Sequence, residues 1–211
     1  MLNETHPLTG DGSDLFYFCK KPKVKVQKSK IQFFMKPEII STETIFKGLI
    51  FNVTSAAINE NGVIYQRQII SHPGSAVIVP VFADKTVALV KQYRHPAEKY
   101  LLEIPAGSLE HGENPELGAI RELEEEIGVS AKKLEKLTEF YVSPGFLGEK
   151  MFVFLATELT EIGQNLEADE LITIERLTFP KAFEMIKNGD IEDAKTMIGL
   201  IMAGLRFGFV F

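Results

Sequence analysis

The stretch from Gly107 to Val129 reads Gly-Ser-Leu-Glu-His-Gly-Glu-Asn-Pro-Glu-Leu-Gly-Ala-Ile-Arg-Glu-Leu-Glu-Glu-Glu-Ile-Gly-Val, and no other part of the chain restricts the fold as tightly. Residues 107 to 113 read as a loop and a helix follows. Asn114 is suited to the N-cap and Pro115 to the first helical position. Glu116 lies in the first turn, where the helix dipole favours negative charge. Gly128 is a natural stop. At about 100° per residue, Glu122, Glu125 and Glu126 share one face of this helix. Ile120, Leu123 and Ile127 fall on a neighbouring face and anchor it to a core. Like charges at i,i+4 destabilise a helix, so three crowded carboxylates need a compensating interaction. A hard divalent cation, Mg²⁺ or Mn²⁺, meets that need because such ions take oxygen ligands. On their own, the glutamates fit a solvated acidic face more readily, since most charge runs are that.

The rest of the chain predicts strands on either side of this helix. Residues 43 to 57 are rich in β-branched and aromatic side chains and read as a strand. Asn61-Gly62 is a hairpin turn leading to a second strand, 63 to 71. Strands follow at 77–82, 87–92 and 100–104, the first two apolar enough to be buried. After the helix come strands at 134–142 and 151–157, joined by Ser143-Pro144-Gly145-Phe146-Leu147-Gly148, then a polar loop over 160–169 and a strand over 171–177. Two helices close the chain, 179–187 and 192–206. The second is apolar through Met197, Ile198, Ile201, Met202 and Leu205. This order predicts an α/β sandwich.

Charge excludes some functions. Residues 1 to 14 hold three acids and no lysine or arginine, and residues 15 to 37 hold seven lysines and no acid. Residues 38 to 211 are left with 16 basic and 26 acidic side chains. A body this acidic argues against sequence-independent nucleic-acid binding, which needs a basic footprint. A small phosphorylated substrate stays compatible, because bound metal inverts the local charge. The lysine run reads either as a contact for RNA or an anionic membrane, or as a solvated tail or an edge strand kept from aggregating by lysine; no aromatic interleaving or helical amphipathicity accompanies it, which favours the second pair of readings. No run reaches the ~18 apolar residues of a membrane span. A single cysteine, Cys19, leaves no intrachain disulfide. A cytoplasmic location is expected. The four histidines lack metal-ligand spacing, so no zinc site is assigned.

Gly107, Glu113 and Arg121-Glu122-Leu123-x-Glu125-Glu126-x-Gly128-Val129 resemble the Nudix box at all nine defined positions. That match reverses the preference for a solvated face. Gln92-Tyr93-Arg94, Leu102-Glu103-Ile104-Pro105-Ala106-Gly107, Ser143-Pro144-Gly145-Phe146, and the hairpin through Arg67 to His72-Pro73-Gly74 are similar to the ADP-ribose pyrophosphatase branch, and related nucleoside diphosphate sugar hydrolases share much of them. The resemblance implies a Nudix fold, an α/β/α sandwich with a mixed sheet, preceded by a β-hairpin subdomain. The expected division is an extension over 1–37, a dimerisation subdomain over 38–73 and a catalytic domain over 74–211. It also implies a homodimer whose active site draws on both protomers.

The implied reaction is Mg²⁺-dependent (or Mn²⁺-dependent) hydrolysis of a pyrophosphate linkage in a nucleotide sugar. Glu122, Glu126 and the Ala106 carbonyl would be metal ligands, and Glu125 a further ligand or the holder of a water. Arg121 would orient these carboxylates, and Glu113 would support the loop. Glu167 is assigned as general base with Asp169 as an auxiliary metal group, and Glu149 is the second candidate for the base. Arg67 and Arg94 are candidates for diphosphate or ribose oxygens, since guanidinium suits phosphate geometry. Glu103 would bind a ribose hydroxyl or complete a salt bridge. The alternatives are a dinucleoside polyphosphate or RNA-cap hydrolase, and a non-catalytic ADP-ribose-sensing regulator; the intact box glutamates disfavour the last.

Overall fold

The structure, a computed structural model, describes residues 36–166 and 170–211. The lysine run and Cys19 lie outside the described residues. Residues 36–211 form one compact unit. Three strands open it: β1 (Glu38–Lys47), β2 (Asn52–Glu60) and β3 (Val63–Ser71), in one antiparallel sheet ordered β1-β2-β3. The single strand expected over 43–57 is therefore two strands. The break comes at Gly48, whose N–H donates to the Phe51 carbonyl at 3.0 Å. A Cβ at Gly48 would lie 2.9 Å from the Phe51 carbonyl oxygen and 2.7 Å from the Phe46 ring, so the turn favours glycine. The Asn61-Gly62 hairpin forms as expected, with φ of 54° and 86° at the two turn residues.

The remaining strands make two more sheets. One is ordered β10 (Ile172–Thr178), β5 (Thr86–Arg94), β6 (Lys99–Glu103). The other is ordered β7 (Ala106–Ser108), β4 (Ser75–Pro80), β9 (Lys150–Glu161), β8 (Val129–Tyr141). Within it β4 runs parallel to β9 and antiparallel to β7, so the sheet is mixed. Strand β8 starts directly after Gly128, five residues before the expected Leu134, and β9 continues to Glu161. As an edge strand β8 carries polar side chains, which conceal it in the sequence.

Strands β4, β5 and β9 are buried on both faces, which is why they read as near-continuous apolar runs. Val77, Val79, Val87, Leu89, Val153 and Leu155 pack toward α2 (Phe179–Asn188) and α3 (Ala194–Arg206). Ala76, Ile78, Ala88, Val90 and Phe154 pack instead against Ala119, Leu123 and Ile127. Helices thus cover both sides, giving the expected α/β/α sandwich. The buried face of α3 is Lys195, Thr196, Gly199, Leu200, Ala203 and Gly204; Met202 and Leu205, part of the side read as apolar, are exposed. The two glycines set this rotation: a Cβ at Gly199 would lie 2.5 Å from Ile104, and one at Gly204 2.3 Å from the Phe183 ring. Among the described residues no helix is long and apolar enough to cross a membrane.

Candidate active site

The acidic helix begins as its sequence dictates. The Asn114 side chain accepts the Glu116 N–H at 2.8 Å, and α1 runs over Pro115–Glu122. Its last turn, Leu123–Ile127, widens to π-helical bonding, a feature frequent at functional sites. Gly128 ends it at φ 71°. The expected single carboxylate face is consequently divided. Glu122 and Glu126 turn inward and are 6% and 3% exposed, beside buried Leu123 and Ile127, while Glu125 stays partly in solvent and Ile120 is exposed.

Each inward carboxylate has a fitted place. Glu122 lies over the backbone of β7, where a Cβ on Gly107 would sit 1.9 Å from its Oε1. Glu126 Oε2 accepts the Ala106 N–H at 3.0 Å. Arg121 gathers the rest of the box. Its Nη1 donates to Glu122 at 2.6 Å and to Glu125 at 3.0 Å, and its Nε and Nη2 reach both oxygens of Glu113 at 3.3 Å. Nη2 also donates to the Ser108 carbonyl at 3.3 Å, which ties the loop to the helix. Arg121 thus joins Glu113, Glu122, Glu125 and the Ser108 carbonyl in one hydrogen-bonded group.

The electrostatics are those of crowded acids in a poor solvent. Burial pushes the Glu126 carboxyl up to about 8; Glu122 and Glu170 add to the rise, and the Ala106 N–H and Arg94 oppose it. Burial also raises Glu122, against the pull of Arg121, with Glu125 and Glu170 contributing. Burial works against the Arg121 charge, but Glu113, Glu122 and Glu125 together hold it firmly protonated. Arg121 keeps the Glu113 carboxyl below its ordinary value.

Buried carboxylates that raise one another suit a hard cation, which needs oxygen donors and relieves their repulsion. Among the described residues no three acidic, histidine or cysteine side chains already converge on one point; Arg121 engages Glu122 and Glu125 directly. The donor chemistry fits a hard divalent cation, which Glu122 and Glu126 would hold.

This has a thermal consequence. A carboxyl raised above its unfolded value contributes stability below that value, of roughly 4.3. The contribution is lost as pH rises toward about 8. In chelator, the melting temperature is expected to fall by several degrees between about pH 5.5 and pH 8, given roughly 2–4 °C per kcal/mol for a chain of this size. Mg²⁺ or Mn²⁺ should recover most of that loss at the higher pH. Calorimetry showing no pH trend in chelator and no metal response would contradict the assignment.

The substrate candidates separate. Arg94 and Glu103 meet as a fork, Nε to Oε1 at 2.7 Å and Nη2 to Oε2 at 2.8 Å. Glu103, 1% exposed, also takes the Lys195 ammonium, so it holds the salt-bridge position of its two expected roles. Arg67 lies apart from both, in a groove of about 440 Å³ with Tyr65, Tyr141, Pro144, Gly145 and Phe146. There its guanidinium stacks 4.3 Å from the Tyr65 ring. Backbone bonds between Ile70 and Phe146 (2.8 Å) and between Gly148 and Ile70 (2.9 Å) join β3 to the Ser-Pro-Gly loop. Glu149 accepts the Ser75 hydroxyl at 2.7 Å and lies 3.8 Å from His72. Glu167 and Asp169 lie outside the described residues.

Several residues of this region carry no motif in the sequence. Gln164 donates to the Glu126 carbonyl at 2.7 Å, and the Asn165 N–H to the Glu125 carbonyl at 3.1 Å, so the segment after β9 caps the π turn. Glu170 bears on both inward glutamates. Lys195 and Thr196 reach the end of β6 from α3. The one signal for these was Asp193, a cap-type residue that starts α3 by accepting the Thr196 N–H at 2.9 Å.

A family model described as NUDIX domain matches residues 72–198. The chain is 41% identical over 165 residues to an ADP-ribose pyrophosphatase of Bacillus subtilis (strain 168), covering 77% of this chain and 89% of that relative. It is 38% identical over 164 residues to a methanol dehydrogenase activator of Bacillus methanolicus, covering 76% and 89%. Among solved structures, a crystal structure of an ADP compounds hydrolase superposes with a TM-score of 0.74 at 23% identity, over 84% of this chain and 97% of that one, and speaks for the fold.

Proposed function

The chain belongs to the Nudix family of pyrophosphohydrolases, and on that premise we propose that it hydrolyses the pyrophosphate bond of ADP-ribose or a related nucleoside diphosphate sugar, with Mg²⁺ or Mn²⁺ as its metal. The observation that carries this reading is the pairing of buried Glu122 and Glu126 against Ala106 and Gly107, braced by Arg121. Glu122, Glu126 and the Ala106 carbonyl would hold the ion, with Glu125 and Asp169 assisting. Bound there, it would supply positive charge against the diphosphate and lower the pKa of a bound water.

The chain's own residues supply the remainder. Arg94 keeps N–H groups beyond those given to Glu103 and offers them to a phosphate oxygen. Arg121 fixes the carboxylates. Glu167 is assigned the proton of the attacking water, since Glu149 is engaged by Ser75. Water oxygen bonds to one phosphorus as the bridging P–O bond breaks. ADP-ribose and water thereby give AMP and ribose 5-phosphate.

Arg67 enters through a second copy of the chain. Strand β1 is exposed along its whole length although it carries Ile39, Ile40, Ile45 and Phe46. Apolar surface of this kind marks an interaction site, and we assign it to a homodimer that carries Arg67 to the partner's site. A second reading, regulation of a partner enzyme through the bound nucleotide, draws on the likeness to the methanol dehydrogenase activator.

A panel of ADP-ribose, other diphosphate sugars, dinucleoside polyphosphates and capped RNA, each with and without Mg²⁺, tests the proposal. Turnover is expected with the first two classes, from a protein that sediments as a dimer, and Glu167→Gln should lose more of it than Glu149→Gln. Nucleotide binding without turnover of any member would support the regulatory reading instead.

A further inference from the structure

The first turn of α3 is joined to the end of β6 by charges that the reaction as described leaves unused. Lys195 is 8% exposed, an uncommon place for an ammonium without partners. Its Nζ lies against Glu103 and 3.1 Å from Asp193. Glu103 in turn carries the Arg94 fork. One residue further along, the Ile104 N–H donates to the Thr196 hydroxyl at 2.9 Å, and that hydroxyl donates to Asp193 at 2.5 Å. Two residues beyond Ile104, the Ala106 N–H holds Glu126. Helix α3 therefore fixes both the backbone that leads into the acidic site and the carboxylate on which Arg94 rests.

The charge balance of this group is specific. Glu103 Oε2 is shared between Arg94 Nη2 and Lys195 Nζ. With Lys195 present, two cations face Glu103 and Asp193, and Glu103 does not cancel Arg94 alone. Without it, Arg94 alone faces Glu103 and Asp193, Glu103 Oε2 loses one of its two partners, and the carboxylate that carries the fork loses its tie to α3. A neutralised, mobile guanidinium is a poor anion receiver, because both its charge and its fixed geometry are what bind phosphate.

We infer that Lys195 is a positioning residue for substrate: by sharing Glu103 it keeps Arg94 oriented toward the substrate's diphosphate and its charge only partly compensated. This rests on the proposed role of Arg94. Lys195 does not touch the reacting atoms, so its removal should appear in substrate affinity more than in the chemical step.

The test is a double-mutant cycle on the full chain. Lys195→Met keeps the apolar stem and removes the charge. It is expected to raise KM for ADP-ribose about tenfold and leave kcat within about threefold of wild type. Arg94→Ala alone should raise KM at least as much. In the Arg94→Ala background, Lys195→Met should add almost nothing, because coupled residues are non-additive. Lys195→Arg should restore most of the affinity. Lys195→Gln, which keeps a donor for Glu103, takes the place of the methionine variant if that does not fold, with the same outcomes. Effects that simply add, or a fall in kcat at unchanged KM, would overturn the inference and leave Lys195 a structural residue. If wild type turns over no substrate, the proposed function fails separately, and the same cycle is read by calorimetry with ADP as the diphosphate probe. Non-additive losses of ADP affinity would then support the inference. Additive losses, or no ADP binding by wild type, would overturn it.

Discussion

Replacing Glu126 by Gln is expected to lower kcat at least about 100-fold, at or beyond the upper end of losses seen when groups supporting a metal ligand are removed. The change keeps the shape of the side chain, and its amide oxygen can still accept the Ala106 N–H that Oε2 now takes at 3.0 Å. What it removes is a charge in a site that is 3% exposed and already presses the carboxyl up to about 8. In chelator above about pH 8, where this carboxyl is ionised, deleting the charge beside Glu122 relieves repulsion, so the melting temperature should be higher by a few degrees. Activity and stability then move in opposite directions, which separates a functional carboxylate from a structural one. A variant that loses both together would mean that Glu126 holds the fold. A variant with full turnover would remove it from the reaction.

Gly107→Ala should be nearly as damaging, by a different route. The new Cβ would lie 1.9 Å from Glu122 Oε1 and 2.0 Å from its Cδ, far inside contact. The obstructed atoms are the end of a flexible side chain, so the fold can respond by turning Glu122 away, and the melting temperature should drop only a few degrees. The functional response has no such escape. Glu122 would leave the position that sets it beside Glu126 and beneath Arg121, and a displaced ligand costs as much as a missing one. A fall in kcat/KM of about 100-fold is expected. Near-normal turnover would mean that the Glu122 position over β7 has no part in catalysis.

What the sequence reveals here is what is local. The Asn114 cap, the Gly128 stop, the Asn61-Gly62 hairpin and the reach of Arg121 to Glu122 and Glu125 are all settled within a few residues, so their spacing carries them. The rotation of α3 is not local. It depends on how closely Gly199 approaches Ile104 and Gly204 approaches Phe183, and hydrophobicity alone points Met202 and Leu205 inward. The Lys195–Glu103 pair spans 92 residues of chain and carries no spacing signal. The strand over 43–57 shows the same limit: β-branched composition reports extended backbone, and a close approach around Gly48 decides that it reverses. The π turn belongs here too, since its carbonyls are capped by Gln164 and Asn165, far along the chain.

The inward glutamates of this helix are proposed to hold a divalent ion for cleavage of a nucleotide sugar's pyrophosphate. The most direct measurement is product release from ADP-ribose by wild type and Glu126→Gln across a Mg²⁺ titration from chelator upward. AMP and ribose 5-phosphate are expected in equal amounts from wild type, only once Mg²⁺ is present, with almost none from the variant. Equal release by the two proteins, or release by wild type in chelator, would contradict this assignment.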